Sequence, residues 1–382
     1  MKIKFLLIPI FFTGLLSSCI QDEAPNAEAD IEYCVIKDKS ILKVQADTLF
    51  KANTDHNRIV IRVKDGVDLT RLAPEFILSN GATISPESGS EHDFSNDSKV
   101  MYTVTSEDRQ WQKTYEVSFN VAEIATEYHF EHFELEKGKQ KYYQWYEVLD
   151  DGSMQYDWAT GNPGFKIAKG SAKPDEYPTV PYMVGVRGNA VKLETKDTGG
   201  WGALMNMRLA AGNLFMGSFD VTEAIKGDEG ALRATNFGLP FAKRPETLRG
   251  WYKFKAGETF QDKNGNPVKD KRDVCDIYGV LYENTRIDEK GEEVSVVLNG
   301  NDVLSSPSIV ALARINDVVE SDDWTYFELP FVYRKEVDKM SLENYKYNLA
   351  IVFSSSIDGA YFEGALGSTL YIDEVSVGCY KD

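Results

Sequence analysis

Cysteine is scarce in this chain, which has 4 cysteines among 382 residues. Beyond Cys19, the remaining thiols are Cys34, Cys275 and Cys379, an odd number at wide spacing. This pattern excludes the disulfide framework that stabilises many small secreted domains, although Cys275 and Cys379 could pair.

Histidine is equally scarce, with 4 residues. His129 and His132 have an HxxH spacing, which presents two zinc ligands on one face of a helix. Their segment reads as a strand, in which residues three apart point to opposite faces, so we expect no zinc site. No G-x-S-x-G, P-loop or dinucleotide fingerprint occurs in a supporting context, so no catalytic motif suggests a reaction.

Positive charge is the minority sign, with 42 Lys and Arg against 60 Asp and Glu and a net charge of −18. Nucleic-acid binding needs a basic stripe, so we exclude nucleic acid as a partner. The acidic balance is explained by solubility.

Long apolar runs are limited to "FLLIPIFFTGLL", which follows Lys2 and Lys4 and is too short to span a membrane. Residues 1–18 are therefore predicted to be a secretory signal. The "LSSC" that ends at Cys19 resembles a bacterial lipobox, which implies acylation of Cys19. Residues 19–30 would form a tether, whose "QDE" resembles the surface-export signal of Bacteroidetes lipoproteins. We expect an outer-membrane lipoprotein at the cell surface.

Aromatic residues are plentiful, with 20 Tyr, 20 Phe and 6 Trp, and the length suggests two β-rich domains. In the first, residues 31–122, "KTYEVSFNV" alternates apolar and polar residues, and "KVMYTVTS" is its predicted hairpin partner. The pattern resembles the immunoglobulin-like β-sandwich at the N-terminus of Bacteroidetes surface lipoproteins. Such modules are spacers, and we assign this one no catalytic role.

The second domain, residues 124–382, is predicted to be a larger β-sandwich with long loops. Its strands include "LRGWYKFKAG", "CDIYGVLYE", "YNLAIVFSSS" and "STLYIDEVSV". Strict alternation in the last strand places Tyr371, Asp373, Val375 and Val377 on one face. An isolated carboxylate among buried residues is too costly to keep, so Asp373 must have a partner.

Several segments together resemble the PCMD family, the putative carbohydrate metabolism domain of Bacteroidetes lipoproteins. They are "WATGNPGF", "AGNLFMGSF", "FGLPFAKRPETLRGWYKFKAGE", "DVCDIYGVLYEN" and "IVFSSSIDGAYFEGALGSTLYIDEVSV". The resemblance implies an all-β jelly-roll sandwich similar to non-catalytic carbohydrate-binding modules. It implies no set of catalytic residues.

In such jelly rolls, an acid in the first strand and an acid in the last often meet at a structural calcium ion, which here implies Glu131 and Asp373. Calcium takes six to eight oxygen ligands. The alternative is that Asp373 caps backbone N–H groups or pairs with a basic side chain, and the sequence leaves both open.

A sugar-binding surface needs flat aromatic rings that stack on pyranose rings, with polar groups nearby. Trp251 shares a strand face with Arg249 and two lysines, and Trp158 and Trp201 stand in glycine-containing, loop-like segments. We predict Trp158, Trp201, Arg249 and Trp251 as glycan-binding residues. For each tryptophan alone, a structural role is the alternative.

Three functions remain open. The first is a surface lipoprotein that binds a polysaccharide or oligosaccharide without cleaving it, with possible partner proteins of a glycan-uptake system. The second is a glycoside hydrolase, which would need two paired carboxylates. Asp273 and Asp276 of "DVCD" are expected to be solvated strand ends instead. The third is a structural or adhesive surface subunit.

Overall fold

The computed structural model describes residues 25–42, 49–51, 57–64, 66–96, 98–120, 124–136, 141–148 and 154–381. The predicted signal peptide and Cys19 lie outside these residues. The N-terminal part contains two small sheets around one core. The strands of the three-stranded sheet are Ile31–Val35, Leu49–Lys51 and Glu75–Leu78, and those of the four-stranded sheet are Arg58–Arg62, Thr83–Ser85, Val100–Thr105 and Gln112–Asn120.

The predicted hairpin of the N-terminal part is confirmed. Val100–Thr105 pairs antiparallel with Gln112–Asn120, and Arg58–Arg62 pairs parallel with the other edge of the second strand. Tyr115, Val117 and Phe119 fall on the buried face because side chains alternate along a strand.

The second part is built on two large sheets. The strands of the eight-stranded sheet are Trp158–Ala159, Asn213–Phe219, Thr235–Phe237, Leu239–Pro240, Asp276–Glu283, Ile309–Arg314, Val332–Tyr333 and Tyr347–Ser354. Those of the six-stranded sheet are Glu127–Tyr128, Thr179–Tyr182, Ala190–Glu194, Pro245–Lys255, Ser321–Pro330 and Thr369–Cys379.

The remaining elements are short. Two-stranded ladders join Phe133–Leu135 to Tyr143–Trp145, Glu147–Val148 to Met154–Gln155, Lys196–Asp197 to Leu209–Ala210, Phe260–Gln261 to Gly364–Ala365, and Thr285–Ile287 to Glu293–Ser295. The α-helices are Asn162–Ala168, Gly199–Leu204, Val221–Ala224, Asp228–Arg233 and Lys339–Glu343. In the part of the chain that the structure describes, no helix has the length and apolarity to cross a membrane.

The main core lies between the two large sheets, where Tyr252, Phe254 and Ile372 of the six-stranded sheet meet Ile277 and Ile351 of the eight-stranded sheet. The opposite face of the eight-stranded sheet is also buried, under short helices and loops. Strands buried on both faces read as continuous apolar runs, which explains "DIYGVLY" and "YNLAIVF". The predicted all-β class with a sandwich architecture is confirmed.

The closing strand, Thr369–Cys379, corrects one prediction. Leu370 and Ile372 share the core with Val375 and Val377, so the buried face changes parity between residues 372 and 375. Glu374 has a positive φ of 50°, and the register against Pro245–Lys255 shifts there, which is the signature of a β-bulge. Asp373 therefore shares the outer face with Tyr371, not with the two valines.

Two arginines join the N-terminal part to the second. Arg62 forms a 2.9 Å ion pair with the fully buried Asp157, which also accepts hydrogen bonds from Gln155 and Tyr128. The Arg58 guanidinium lies 3.7 Å from the centroid of the Tyr156 ring. Buried, multiply hydrogen-bonded charges are costly to separate, so this junction resists bending.

Candidate functional site

A cleft of about 450 Å³ lies on the face of the eight-stranded sheet that is turned away from the main core. Phe215, Tyr278 and Val352 project from the strands to form its floor. Its walls come from helix Asn162–Ala168, helix Gly199–Leu204 and the segments around residues 224–235, 300–305 and 357–362. The volume and the largely apolar lining are those of a small-ligand site.

Asp276 is the only charged residue among the described residues that line the cleft. It is buried, and Arg314 binds it with two hydrogen bonds of 2.9 and 2.7 Å. Burial raises the pKa of the Asp276 carboxyl, and the hydrogen bond and charge of Arg314 oppose this rise. Asp276 is thus an oriented acceptor at one side of an apolar floor. The expectation of a solvated strand end was wrong, because the strand that Asp276 begins is covered on both faces.

Aromatic rings stand at the mouth of the cleft. Trp201 is 57 % exposed and Tyr361 is 55 % exposed. The next residue, Phe362, lines the cleft with a left-handed backbone (φ 59°, ψ 32°), which is rare for a bulky side chain. Strained backbone of this kind persists only where the surroundings impose it, and it is concentrated at functional sites.

Asp273 holds in place the lip of the cleft, by which we mean residues 356–368 with Tyr361 and Phe362. Its Oδ2 accepts hydrogen bonds from the Ser356 hydroxyl (2.5 Å), the Ser368 hydroxyl (2.7 Å) and the Ala365 N–H (2.7 Å). Burial raises the pKa of the Asp273 carboxyl, and these hydrogen bonds oppose the rise. Asp273 is therefore a buried structural acid and not the solvated strand end that the sequence predicted.

A second cavity of about 360 Å³ adjoins the cleft behind Tyr361 and Phe362, which line both. Its lining includes the charged residues Glu229, Lys271 and Asp358. The Lys271 ammonium lies 2.7 Å from the Asp358 carboxylate.

The predicted glycan-binding residues separate into three places. Trp158 is 6 % exposed and packs against Tyr128, Phe130 and Phe353 in the main core, so its prediction as a stacking platform was wrong. Its segment forms a strand of the eight-stranded sheet, although the neighbouring glycines indicated a loop. Trp201 lies on a short helix at the cleft.

Arg249 and Trp251 lie on the opposite side of the sandwich, on the outer face of the six-stranded sheet. Arg249 pairs with Glu328 at 3.0 Å, and the Trp251 ring meets Tyr326 edge to face at 5.4 Å. They cannot share one ligand with Trp201 across the core. Glycan binding by Arg249 and Trp251 stays a prediction, and it would take place on a separate surface.

Glu131 and Asp373 are brought together by one loop, residues 183–189. The Asp373 carboxylate accepts N–H hydrogen bonds from Val186 (2.6 Å), Arg187 (3.1 Å) and Glu374 (2.8 Å). Glu131 accepts one from the Asn189 N–H at 3.1 Å. Burial raises the pKa of Asp373 to about 6, and the three N–H groups oppose the rise.

The three N–H groups around Asp373 fit a carboxylate that caps the backbone. They do not fit a calcium site, because calcium needs oxygen ligands and the neighbours of the Asp373 carboxylate are N–H donors. Among the residues with described positions, no three His, Cys, Asp or Glu side chains form a metal-binding group.

The chain also keeps Cys34, Cys275 and Cys379 as free thiols, so the possible pairing of Cys275 with Cys379 is absent.

Comparison with known proteins identifies relatives for both parts. The family model described as PCMD, putative carbohydrate metabolism domain, matches residues 129–378, and the model described as SGBP, N-terminal, matches residues 41–118. These matches support a carbohydrate-related function at the cell surface. No curated protein matches the chain.

Two solved structures are similar over long stretches. One, described as a putative glycoside hydrolase from Bacteroides thetaiotaomicron, is 43 % identical, covers 95 % of this chain and 100 % of its own, and superposes with a TM-score of 0.83. Another, described as a putative glycoside hydrolase from Bacteroides vulgatus, is 37 % identical, covers 68 % of this chain and 99 % of its own, and has a TM-score of 0.60. The chain belongs to the PCMD family.

Proposed function

We propose that this protein is a cell-surface lipoprotein that binds a glycan in the cleft without cleaving it, as a step in carbohydrate acquisition. The observation that carries the proposal is the composition of the cleft. Exposed aromatic rings stand at its mouth, and its lining has one carboxylate among the described residues. Hydrolysis of a glycosidic bond needs two carboxylates across the bond.

In the proposed binding mode, Trp201 and Tyr361 stack on the apolar faces of sugar rings. Asp276 accepts hydrogen bonds from sugar hydroxyls, and Arg314 fixes the direction of its carboxylate. The bonds from Asp273 keep Tyr361 and Phe362 in place before the ligand arrives, which lowers the cost of ordering the site.

Affinity electrophoresis of the full chain against a panel of neutral glycans tests the proposal. We expect Trp201→Ala to weaken the binding of the retained glycan about tenfold, because a stacking face is lost. Trp111→Ala is the matched control, since Trp111 is 60 % exposed on the N-terminal part. Equal retention of both variants would contradict a cleft-bound ligand.

The lipoprotein part of the proposal has its own test. Acylation of Cys19 is the anchor that the sequence predicts, so Cys19→Ser should move the protein from the membrane fraction to the soluble fraction. Recovery of this variant with membranes at the wild-type level would refute the anchor.

A glycan-cleaving enzyme is the second candidate, because both solved relatives carry glycoside hydrolase descriptions. Asp276 has a raised pKa, and the charge of Asp358 contributes to the rise. An enzyme would release new reducing ends at a rate proportional to protein concentration and would lose this activity in Asp276→Asn and Asp358→Asn. We expect no release above the background of either variant.

A further inference from the structure

The outer face of the six-stranded sheet contains a lysine surrounded by aromatic rings. The Lys253 ammonium lies 4.7 Å from the centroid of the Trp324 ring, 5.7 Å from that of Tyr182 and 5.8 Å from that of Tyr371. All three distances are within the range of a cation–π contact. The rings of Tyr182 and Tyr371 touch each other at 4.5 Å. We call these four residues the Lys253 patch.

Three different strands hold the rings of the Lys253 patch around the lysine. Lys253 and Tyr371 are direct partners across two antiparallel strands. Trp324 comes from the next strand, and Tyr182 comes from the edge strand on the other side. The residues next to Lys253 and Tyr371 in the chain, namely Tyr252, Phe254 and Ile372, are buried in the main core. The patch is therefore a preformed feature of a rigid sheet.

Lys253 differs from the other cations of this face in having no acid beside it. Arg249 pairs with Glu328 at 3.0 Å, and Lys192 pairs with Glu194 at 2.6 Å. Among the residues that the structure describes, no carboxylate lies within 4.0 Å of the Lys253 ammonium. Aromatic faces accept its charge but leave its N–H groups without strong acceptors.

The surroundings of the patch extend its flat surface. Trp251 and Tyr326 lie beside it on the same two strands, and Tyr326 is 47 % exposed. The 183–189 loop begins immediately after Tyr182 and exposes Met183 and Val184. Since Asp373 and Glu131 hold the backbone of this loop, its apolar side chains form a fixed border.

We propose that the Lys253 patch is a second glycan-binding site and that it takes an acidic glycan. A pyranose ring would stack on Trp324 or Tyr371 while its carboxylate or sulfate group accepts hydrogen bonds from Lys253. Glu194 and Glu328 of this face are already paired with Lys192 and Arg249, whereas the Lys253 ammonium has no carboxylate partner among the described residues. The site is independent of the cleft, because the sandwich core separates them.

The test is affinity electrophoresis of the full chain in gels that contain polygalacturonate, dextran sulfate or dextran. We expect retention by one or both acidic polymers, weakening with added salt, and none by neutral dextran. The two acidic polymers distinguish carboxylate from sulfate. Poly-L-glutamate serves as a competitor that has carboxylates but no sugar rings, and we expect it to compete poorly.

Lys253→Met should weaken the retention about tenfold, because a charged hydrogen bond is lost. Lys255→Met is the matched control from the same strand and face, since the Lys255 side chain is exposed and lies 3.9 Å from Asp322. Lys253→Arg, which keeps the charge, should recover part of the affinity.

Four results would overturn the inference, and the first three are no retention of the wild type by either acidic polymer, equal loss in Lys253→Met and Lys255→Met, or full competition by poly-L-glutamate. Loss of acidic-polymer binding in Trp201→Ala but not in Lys253→Met would place that ligand in the cleft. This last outcome rejects the second site and leaves the proposed function intact.

Discussion

On one side of the sandwich the eight-stranded sheet is roofed by short helices and loops. On the other side the 183–189 loop covers part of the six-stranded sheet, and residues such as Tyr326 are exposed. The roofed side encloses an apolar cleft with a buried carboxylate at one side, Asp276, which pairs with Arg314. The open side displays an exposed ion pair, Arg249 with Glu328, beside aromatic rings. The same two-sheet core thus supports an enclosed site and a flat surface, and the difference comes from the connecting segments.

Both sides also use a buried acid to hold a loop. Asp273 binds the lip at residues 356–368, and Asp373 binds the backbone of residues 186 and 187. Each surface thus depends on a buried carboxylate that accepts hydrogen bonds from the loop beside it.

The largest expected effect on stability distinguishes Trp158 from Trp201, two tryptophans that were both predicted to bind glycan. Trp158→Ala should lower the free energy of unfolding by about 4 kcal/mol, because it leaves a large cavity in the main core. Trp201→Ala should change it by less than about 1 kcal/mol, since the ring is exposed. Chemical denaturation of both variants provides the measurement, and equal effects would contradict the assignment of one ring to the core and one to the cleft.

The two ion pairs give the next largest contrast. Arg314→Leu should cost about 3 kcal/mol of unfolding free energy, because Asp276 would remain buried without its partner. Arg249→Leu should cost less than about 1 kcal/mol, because its pair is exposed to solvent. Urea titrations of the two variants provide the measurement, and similar costs would contradict the difference between the buried and the exposed pair.

The pH dependence of stability should reveal the loop-holding acid of the open side. The pKa of Asp373 is about 6 in the folded protein, above the value of 3.8 for an unperturbed Asp. The folded state therefore binds a proton more tightly between these values, and stability falls as pH rises from about 4 to 6. The change is at most about 3 kcal/mol. Asp373→Asn should lack this part of the profile in melts from pH 4 to 8, and an unchanged profile would contradict it.

Calcium should have the smallest effect. A backbone cap at Asp373 predicts equal melting temperatures with chelator and with millimolar calcium. The calcium site that the sequence suggested would require a lower melting temperature in chelator, because metal bound only to the folded state stabilises it. A calcium-dependent shift that Asp373→Asn abolishes would restore the metal interpretation.

Regular alternation made part of this structure readable from sequence. The N-terminal hairpin and the outward face of Arg249, Trp251 and Lys253 follow from the two-residue period of a strand. Asp276 was missed because it begins a run buried on both faces, where alternation disappears. The bulge at Asp373 and Glu374 leaves no signal in residue type, so the face of Asp373 was assigned wrongly.

The cleft could not be predicted because its walls come from segments that are far apart in sequence. Trp201 and Tyr361 are separated by 160 positions along the chain, and only the topology of the eight-stranded sheet brings them together. Trp158 has glycine-containing neighbours like Trp201, but it is buried because its short strand joins the edge of that sheet.

The junction of Arg58 and Arg62 with Tyr156 and Asp157 has a mechanical consequence. A polymer pulled by flow or by a neighbouring cell exerts force on whichever surface holds it. Since the junction is a buried charge pair beside an arginine stacked on a ring, we expect that force to pass into the N-terminal part before the junction opens. The two parts would then behave as a single lever arm, and the orientation of the captured polymer would follow the base of the arm.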